Sequence, residues 1–239
     1  MKACFENIFK GDIDALMDSI TGSLNRGEKR FIITANPEIY MQAEKSREVE
    51  RLLCGDNTVV ADGIGVLNAC RKLGIDGVCK IPGVELAQRL LKAGDGLGCG
   101  AVFIGAAREV NERFAKMVKS NYPGLKILGS VDGYVPHIED EFKKLLSMGP
   151  DIILVALGVP KQELLIDKYY GVCDKGVFVG VGGTFDVLSG MKKRAPKIFL
   201  KTNTEWLYRI VTEPKRLGRF FRNNVKFVFR VRRWGNEKQ

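Results

Sequence analysis

The chain has 239 residues and is 45% hydrophobic, so it can bury the core of one α/β domain with or without an appendage. No run of about 18 apolar residues occurs, and no signal-peptide pattern opens the chain, so we expect neither a transmembrane helix nor a secreted protein. The net charge of +10 is concentrated in residues 192–239, which hold 15 Lys or Arg and 3 Glu. This leaves 23 of the 38 basic and 25 of the 28 acidic side chains elsewhere. Such a basic segment predicts an acidic partner: anionic lipid, nucleic acid or a phosphorylated substrate.

The predicted elements alternate between strands and helices along the chain. Residues 5–26 are predicted to form a helix or a strand–turn–helix entry. A strand–helix–strand unit follows over residues 31–61, and its helix spans residues 37–53. Helices are predicted at 63–73, 84–93, 106–120, 138–147 and 162–170, and strands at 101–104, 126–131, 151–157 and 176–181. Several strands are continuous apolar runs, which is typical of a sheet covered on both faces. The fold class is therefore α/β: a three-layer α/β/α, Rossmann-like domain over residues 1–195 with a mostly parallel sheet.

Residues 196–239 are predicted to form a basic, amphipathic helical appendage. Lys or Arg recurs every three or four positions from 215 to 233, and apolar or aromatic residues fill much of the rest. A helix with basic and aromatic faces is typical of an element that lies on a membrane surface. Two alternatives stay open: a helix docked on the domain with a solvated basic edge, and a nucleic-acid-binding segment, although no known nucleic-acid module accompanies it.

Metal ligands and disulfide patterns are not apparent. Six cysteines are scattered without a C-x-x-C pair, which predicts buried, reduced thiols in a cytoplasmic protein. His137 is the only histidine and has no cysteine cluster beside it, so we expect no zinc site. Asp12 and Asp14 match the D-x-D pattern of metal-dependent sugar-nucleotide enzymes, but no strand precedes them, and a solvated helix turn is favoured. We therefore predict no metal and no cofactor.

Polar residues stop both apolar runs of the first strand–helix–strand unit. Thr34 and Asn36 follow the first run, and Asp62 with Gly63 follows the second. Open parallel sheets bind ligands at the carboxyl ends of their strands, so these residues form the first candidate site. A carboxylate there could act as general base for a hydroxyl nucleophile, but Asp is also a common helix N-cap.

Other candidate positions follow later strands. No Rossmann G-x-G-x-x-G or Walker A sequence occurs. The loop at Gly182 lies between a strand and a helix start, where backbone N–H groups could hold phosphate. Gly105, Asp132 and Gly133 also lie at strand ends and are possible nucleotide-binding positions. Gln162 follows the most apolar strand, and it lies either at the ligand-binding edge or on a capped surface helix.

A set of motifs in order along nearly the whole chain resembles the WecG/TagA/CpsF family of bacterial glycosyltransferases. The motifs are T-A-N-P at 34–37, A-D-G-I-G at 61–65, G-V-P-K-Q-E at 158–163, G-V-G-G-T-F-D-V-L-S-G at 180–190, R-A-P at 194–196, E-W-L-Y-R at 205–209 and E-P-K-R-L-G-R at 213–219. Within this family, the chain looks like the branch of N-acetylmannosaminyltransferases of wall teichoic acid linkage-unit synthesis. The resemblance implies inverting, metal-independent transfer of N-acetylmannosamine from its UDP donor to the 4-hydroxyl of undecaprenyl-diphosphate-linked N-acetylglucosamine, with a β-1,4 product.

The resemblance also implies roles for individual residues. Asp62 would take the proton of the attacking hydroxyl, and Thr34 and Asn36 would hold the sugar or the acceptor beside it. Gln162 would contact the donor or the acceptor. Lys80 stands where the family usually has arginine, and it supplies charge without a bidentate fork. Basic side chains of the appendage would reach the diphosphates and stabilise the leaving group. These are Arg209, Arg216 and Arg219.

A lipid-linked acceptor gives the basic appendage a role at the anionic inner face of the cell membrane. We therefore expect a cytoplasmic, peripheral membrane protein that self-associates into a homo-oligomer in solution. Two alternatives remain. The first keeps the fold and uses UDP-N-acetylmannosaminuronic acid or UDP-glucose as donor. The second is a nucleic-acid-binding α/β protein that acts through its basic segment, whereas the leading hypothesis predicts no nucleic-acid partner.

Overall fold

A single parallel sheet forms the centre of the molecule in a computed structural model that describes residues 1–193, 195, 196, 199 and 217–236. Its six strands lie in the order β2-β1-β6-β5-β3-β4, and each pairing is parallel. The strands are β1 (Lys29–Ala35), β2 (Thr58–Ala61), β3 (Gly100–Gly105), β4 (Lys126–Val131), β5 (Ile152–Ala156) and β6 (Gly176–Gly180). All carboxyl ends therefore meet at one edge of the sheet.

Helices cover both faces of this sheet. They are α1 (Lys2–Glu6), α2 (Ile13–Arg26), α3 (Pro37–Ala43), α4 (Arg47–Cys54), α5 (Ile64–Lys72), α6 (Gly83–Leu97), α7 (Arg108–Asn121), α8 (Ile138–Ser147), α9 (Lys161–Tyr170), α10 (Thr184–Leu188) and α11 (Leu217–Asn236). Successive residues of a strand belong to two separate hydrophobic cores, one on each face of the sheet, because side chains alternate across a strand. Ile33 and Val155 pack with α1, α3–α5, α8, α9 and α11, whereas Ile32 and Leu154 pack with α2, α6, α7 and α10. This confirms the three-layer α/β/α prediction.

The prediction of one helix over residues 37–53 is wrong, because the segment forms two helices. α3 ends at Ala43, and α4 begins at Arg47. Ser46 has an extended backbone, and its hydroxyl accepts the Val49 N–H at 3.4 Å, which starts a new helix. α3 is therefore a short helix whose first residue, Pro37, directly follows the candidate site.

The cysteines differ from the sequence-based expectation. Cys4 on α1 and Cys54 at the end of α4 form a disulfide with their Cα atoms 4.3 Å apart. The prediction of buried, reduced thiols is therefore wrong for this pair, and also for Cys79, which is exposed. The reason is tertiary: the Asn7 side-chain amide donates to the Leu53 carbonyl at 3.0 Å, and α1 packs on α4. This packing brings together cysteines 50 positions apart in sequence.

The basic helix α11 packs against α3 and α5 of the domain. Phe227, Val231 and Trp234 share one side of the helix and are buried. The Phe227 ring lies 5.9 Å from the Tyr40 ring and 6.2 Å from the Phe5 ring. α11 thus docks on two helices that begin at the carboxyl ends of β1 and β2. In the part of the chain that the structure describes, no helix is long and apolar enough to cross a membrane.

Candidate active site

The ends of β1 and β2 meet the start of α6 at the carboxyl edge. The Asp62 N–H donates to the Ala35 carbonyl at 2.8 Å, which extends the strand pairing by one residue beyond β2. Asp62 Oδ1 accepts the Gly83 N–H at 3.4 Å. Gly83 also lies against Thr34, whose Cγ2 would be 3.5 Å from a Cβ added at position 83. Asp62 is half-buried and faces the junction of these three segments.

A glycine turn carries the chain from Asp62 into α5. Gly63 has φ of 100°, in the left-handed region that favours glycine, and it is the N-cap residue of α5. The N-cap position of this helix is therefore Gly63 and not Asp62. Gly65 lies so close to Pro37 that an added Cβ would be 2.8 Å from the proline Cγ. The two motifs that follow β1 and β2 are therefore in direct contact.

Lys80 lies at the same strand end because the segment before α6 runs alongside β2. Lys80 forms a parallel bridge with Ala61, and the Ile81 N–H donates to the Ala61 carbonyl at 2.9 Å. Lys80 is half-buried. The structure thus brings Asp62 and Lys80, which are 18 positions apart in sequence, to the end of one strand.

Thr34 and Asn36 are held by the fold itself. The Thr34 hydroxyl donates to the Gly180 carbonyl at 2.7 Å, and this side chain is only 5% exposed. It therefore ties β1 to β6 from inside the site. Asn36 caps α3, because its Oδ1 accepts the Ile39 N–H at 3.1 Å. Asn36 is half-buried, and its amide nitrogen can act only as a hydrogen-bond donor.

Gln162 joins the loop after β5 to the loop after β6. Its Oε1 accepts the Gly158 N–H at 3.2 Å and the Gly182 N–H at 3.0 Å. Its Nε2 donates to Glu163 Oε1 at 2.7 Å. Gln162 is 1% exposed, so it shapes the middle of the edge from within. The Gly182 N–H, which we expected to face phosphate, is directed to Gln162.

The other half of the edge is built from backbone. The Gly133 N–H donates to the Ala106 carbonyl at 2.8 Å, and the Ala106 N–H donates to the Ala156 carbonyl at 2.9 Å. Gly105 has φ of 121°, and a Cβ added there would be 2.4 Å from the Ala156 carbonyl oxygen. Gly105 and Gly133 therefore permit a close approach of the loops after β3, β4 and β5 that larger residues would block.

Asn111 on α7 holds these loops together, and sequence reasoning missed it. Its Nδ2 donates to the carbonyls of Gly105 and Val131, each at 3.0 Å, and its Oδ1 accepts the Ser130 hydroxyl at 2.7 Å. Asn111 is 3% exposed. An amide on the buried side of an amphipathic helix was the available signal. A cavity of about 490 Å³ opens beside Asn111, Asp132 and His137.

A comparison with known proteins decides the class of the chain. The model of the glycosyl transferase WecG/TagA/CpsF family matches residues 6–239. This chain belongs to that family. The resemblance inferred from the motifs is confirmed, and the chain is a glycosyltransferase.

Several relatives are named N-acetylglucosaminyldiphosphoundecaprenol N-acetyl-beta-D-mannosaminyltransferase. The relative from Bacillus spizizenii is 38% identical over 199 residues, which is 83% of this chain and 77% of the relative. The one from Bacillus subtilis is 36% identical over 188 residues, 79% of this chain and 73% of the relative. One from Staphylococcus aureus is 38% identical over 191 residues, 79% of this chain and 74% of the relative.

The side chains of the three appendage arginines lie outside what the structure describes. Arg209 and Arg216 lie outside the described residues, and Arg219 lies in the first turn of α11, where the structure describes the backbone alone. Asp12 caps α2 by accepting the Ala15 N–H at 2.9 Å, and Asp14 is paired with Arg89. Within the described ranges, no three His, Cys, Asp or Glu side chains are grouped as a metal site.

Glu163 is a further buried group at the carboxyl edge of the sheet, and sequence reasoning did not select it. Its side chain is 0% exposed, and burial is the main cause that raises the pKa of Glu163 to about 7. The hydrogen bond from Gln162 opposes this rise, and the negative charge of Glu38 adds to it. Glu163 stands within the G-V-P-K-Q-E motif, but nothing in that motif indicates that this carboxyl is buried.

Proposed function

We propose that this glycosyltransferase moves N-acetylmannosamine from a UDP donor to the 4-hydroxyl of lipid-diphosphate-linked N-acetylglucosamine. The product is the β-1,4 disaccharide of the wall teichoic acid linkage unit. The observation that carries the proposal is the meeting of Asp62, Lys80 and Asn36 at one strand edge in a member of this family. The names of the relatives agree with this activity and favour neither a uronic acid donor nor a nucleic-acid partner.

In this proposal Asp62 is the general base. It takes the proton of the acceptor 4-hydroxyl while that oxygen forms a bond to the anomeric carbon of the donor. The bond between this carbon and the phosphate oxygen breaks, and UDP leaves with the bonding electrons. Attack from the face opposite UDP inverts the anomeric configuration. The Gly83 N–H, 3.4 Å from Asp62 Oδ1, supports one carboxylate oxygen and orients the other toward the acceptor.

The glycine half of the edge is proposed to hold UDP. The close backbone approach at Gly105 and Gly133 leaves room for phosphate and ribose above the loops. Asp132 accepts the Tyr134 N–H at 2.9 Å, and its carboxylate is suited to accept ribose hydroxyl groups. The Tyr134 ring is 82% exposed and offers a surface for stacking by uracil.

Cations are proposed to stabilise the diphosphate that leaves. Lys80 stands beside Asp62 and supplies one positive charge to the developing UDP. Arg209, Arg216 and Arg219 of the appendage are proposed to supply the others. The position of α11 supports this proposal, because α11 docks on α3 and α5, which begin at the ends of the strands that carry Asn36 and Asp62.

The outer side of α11 is proposed to lie on the inner face of the cell membrane, where a lipid-linked acceptor is found. Val228 and Phe229 are 50% and 64% exposed there, and the neighbouring Lys226, Arg232 and Arg233 are also exposed. Apolar and basic side chains on one exposed surface suit an anionic bilayer, which binds the first by burial and the second by charge. Away from a membrane, the same surface is proposed to pair with a second copy and give the homo-oligomer.

The test is transfer by the full chain with a short-chain lipid-diphosphate N-acetylglucosamine and each of three donors. We expect disaccharide and UDP in equal amounts from UDP-N-acetylmannosamine, little transfer from UDP-N-acetylmannosaminuronic acid or UDP-glucose, and little effect of EDTA. Preferred transfer from another donor would overturn the choice of sugar. Absence of transfer from all three, combined with tighter binding to duplex DNA than to anionic vesicles at matched salt, would overturn the proposed function.

A further inference from the structure

The part of the chain that the structure describes has two buried side-chain atoms without a hydrogen-bond partner, the Tyr40 hydroxyl and Glu163 Oε2. The second belongs to the middle of the carboxyl edge. Glu163 is fully buried in the first turn of α9, directly after Gln162, and the proposed reaction gives it no task. A carboxyl group in such a place costs free energy, so it is a candidate for a role in function.

The carboxyl group of Glu163 lies against β6 at Gly180. A Cβ added to Gly180 would be 3.1 Å from Glu163 Oε1 and 2.7 Å from Gln162 Nε2, so glycine leaves the space for both side chains. Gly180 pairs with Ile33 of β1, and its carbonyl accepts the Thr34 hydroxyl at 2.7 Å. Glu163 is therefore connected through one residue to the half of the edge that carries Asp62.

Glu163 also determines which way the Gln162 amide points. Its Oε1 accepts a hydrogen bond from Gln162 Nε2, and this directs Gln162 Oε1 toward the N–H groups of Gly158 and Gly182. With the amide reversed, its oxygen would face the carboxyl oxygen and its NH₂ group would face two N–H donors. Both contacts would be repulsive, so the carboxyl group selects one orientation.

We propose that Glu163 is a positioning residue of the transferase site. It fixes the Gln162 amide so that the hydrogen bonds from Gly158 and Gly182 join the loops after β5 and β6, and we call this contact the joint. Ionisation of Glu163 releases the joint. The inference rests on the proposed function, because it gives Glu163 a task in that site. Glu163 does not touch the reacting atoms. It acts through Gln162 and the two glycine N–H groups.

The electrostatic surroundings support this role. A neutral carboxyl group can carry its proton on Oε2 and still accept the Gln162 bond through Oε1. Ionisation would place a negative charge on a buried group whose Oε2 has no partner among the described residues. The charged group that acts on it from a packed element is Glu38 of α3, and this charge is also negative. Burial together with Glu38 raises the pKa of Glu163 to about 7, against the opposing effect of the Gln162 hydrogen bond. Above this pH the closed joint would hold a buried negative charge whose Oε2 has no partner among the described residues, and opening of the joint lets water solvate this charge.

The experiment measures kcat and donor KM of the full chain from about pH 5.5 to 8.5 for the wild type, Glu163→Gln and Glu163→Leu. Glu48→Gln, an exposed glutamate on α4, is the matched control. We expect wild-type kcat/KM to fall about tenfold between about pH 6 and pH 8, because the neutral fraction of Glu163 falls by that factor. Glu163→Gln keeps the acceptor oxygen and stays neutral, so it should be within about threefold of the wild type at pH 6 and lack this fall. Glu163→Leu removes the acceptor and should lose about tenfold or more at pH 6, with a higher donor KM.

A Glu163→Gln profile that falls as the wild type does near pH 7 would overturn the inference, as would wild-type kinetics in folded Glu163→Leu. If circular dichroism shows that Glu163→Leu is unfolded, the Glu163→Gln profile decides. NMR of the Glu163 carboxyl carbon and the Gln162 side-chain amide gives a readout that needs no activity. Both signals should titrate together near pH 7, and separate titrations would overturn the coupling. Absence of transfer by the wild type, with coupled titrations intact, would instead overturn the proposed function.

Discussion

The two halves of the carboxyl edge are built by different means. At the ends of β1 and β2, the groups that we propose to act on the substrates are side chains: Asp62, Lys80 and Asn36. At the ends of β3 and β4, the loops are drawn together by backbone hydrogen bonds and close approach at Gly105 and Gly133. The first arrangement can exchange a proton, and the second can hold a large polar ligand. A substitution in the first half should therefore change turnover, and one in the second half should change donor affinity.

The middle of the edge connects these halves. Gln162 joins the loops after β5 and β6, and Thr34 joins β6 back to β1. The buried carboxyl of Glu163 lies under this joint. Perturbation of the middle should therefore affect both halves at once, which distinguishes it from changes made in either half alone.

The largest expected effect is on turnover, from Asp62→Asn. The amide cannot take the hydroxyl proton, so kcat should fall by about 10² to 10⁴, whereas donor KM should stay within about threefold. Asp56→Asn is the matched control, because Asp56 is exposed and lies before the amino end of the same strand. Initial rates of disaccharide formation measure both. Near-normal turnover in Asp62→Asn would show that Asp62 is not the base, and it would contradict a role of the β1 and β2 half in proton transfer.

The next effect is on stability and concerns the middle of the edge. Burial raises the pKa of Glu163 from 4.5, the ordinary value, to about 7 in the folded chain. The stability that the Glu163 proton contributes is therefore fully present below about pH 4.5 and is lost as pH rises through about 7, by about 3 kcal/mol in total. Glu163→Gln has no such proton. The difference in unfolding free energy between the two proteins, from urea titrations at each pH, should change by this amount. A constant difference would contradict a neutral, buried Glu163.

A smaller effect, on donor affinity, is expected from Gly133→Ala. The added Cβ would be 2.9 Å from Leu157 Cδ2 and 3.1 Å from the Gly105 Cα, so the loops must separate. Crowding of this kind costs about 1–3 kcal/mol, and we expect donor KM to rise about tenfold with a smaller change in kcat. Gly96→Ala is the control, because nothing lies within 4 Å of an added Cβ there. An unchanged KM would contradict the holding role of this half.

The smallest effect on the transfer reaction is expected from a substitution on the outer side of α11, which should change membrane binding instead. Phe229→Ser should weaken binding to anionic vesicles about tenfold or more, because burial of one Phe side chain contributes about 1.5–3 kcal/mol. Transfer to a water-soluble acceptor should not change, since this side chain is 64% exposed and lies outside the docked side of the helix. Val172→Ser, at a site that is 76% exposed, is the control for loss of apolar surface. Equal loss of vesicle binding in both variants would contradict a specific membrane surface.

The sequence predicted the half that uses side chains better than the half that uses backbone. Asp62 could be selected because a buried apolar strand stops abruptly at a carboxylate, and the β4 and α8 boundaries were also predicted correctly. Gly105 and Gly133 could be placed at strand ends, but their close approach depends on the order of β3, β4 and β5 in the sheet. For Asn111 the local signal is only an amide on the buried side of an amphipathic helix, and its partners come from two other elements.

Features that depend on packing between distant elements were not predictable. Glu163 is buried because β6 presents a glycine beneath it, and no motif encodes that contact. The Cys4–Cys54 disulfide forms because α1 packs on α4, and the spacing of the cysteines carries no pattern. The break between α3 and α4 had a local signal, a Ser cap, that the helical composition of residues 37–53 concealed.

The most direct test of the division between the two halves is UDP binding by Asp62→Asn and Gly133→Ala, measured side by side by titration calorimetry. The account predicts that Asp62→Asn binds UDP within about threefold of the wild type, whereas Gly133→Ala binds it about tenfold more weakly. Equal loss of UDP affinity in the two variants, or loss in Asp62→Asn alone, would contradict it.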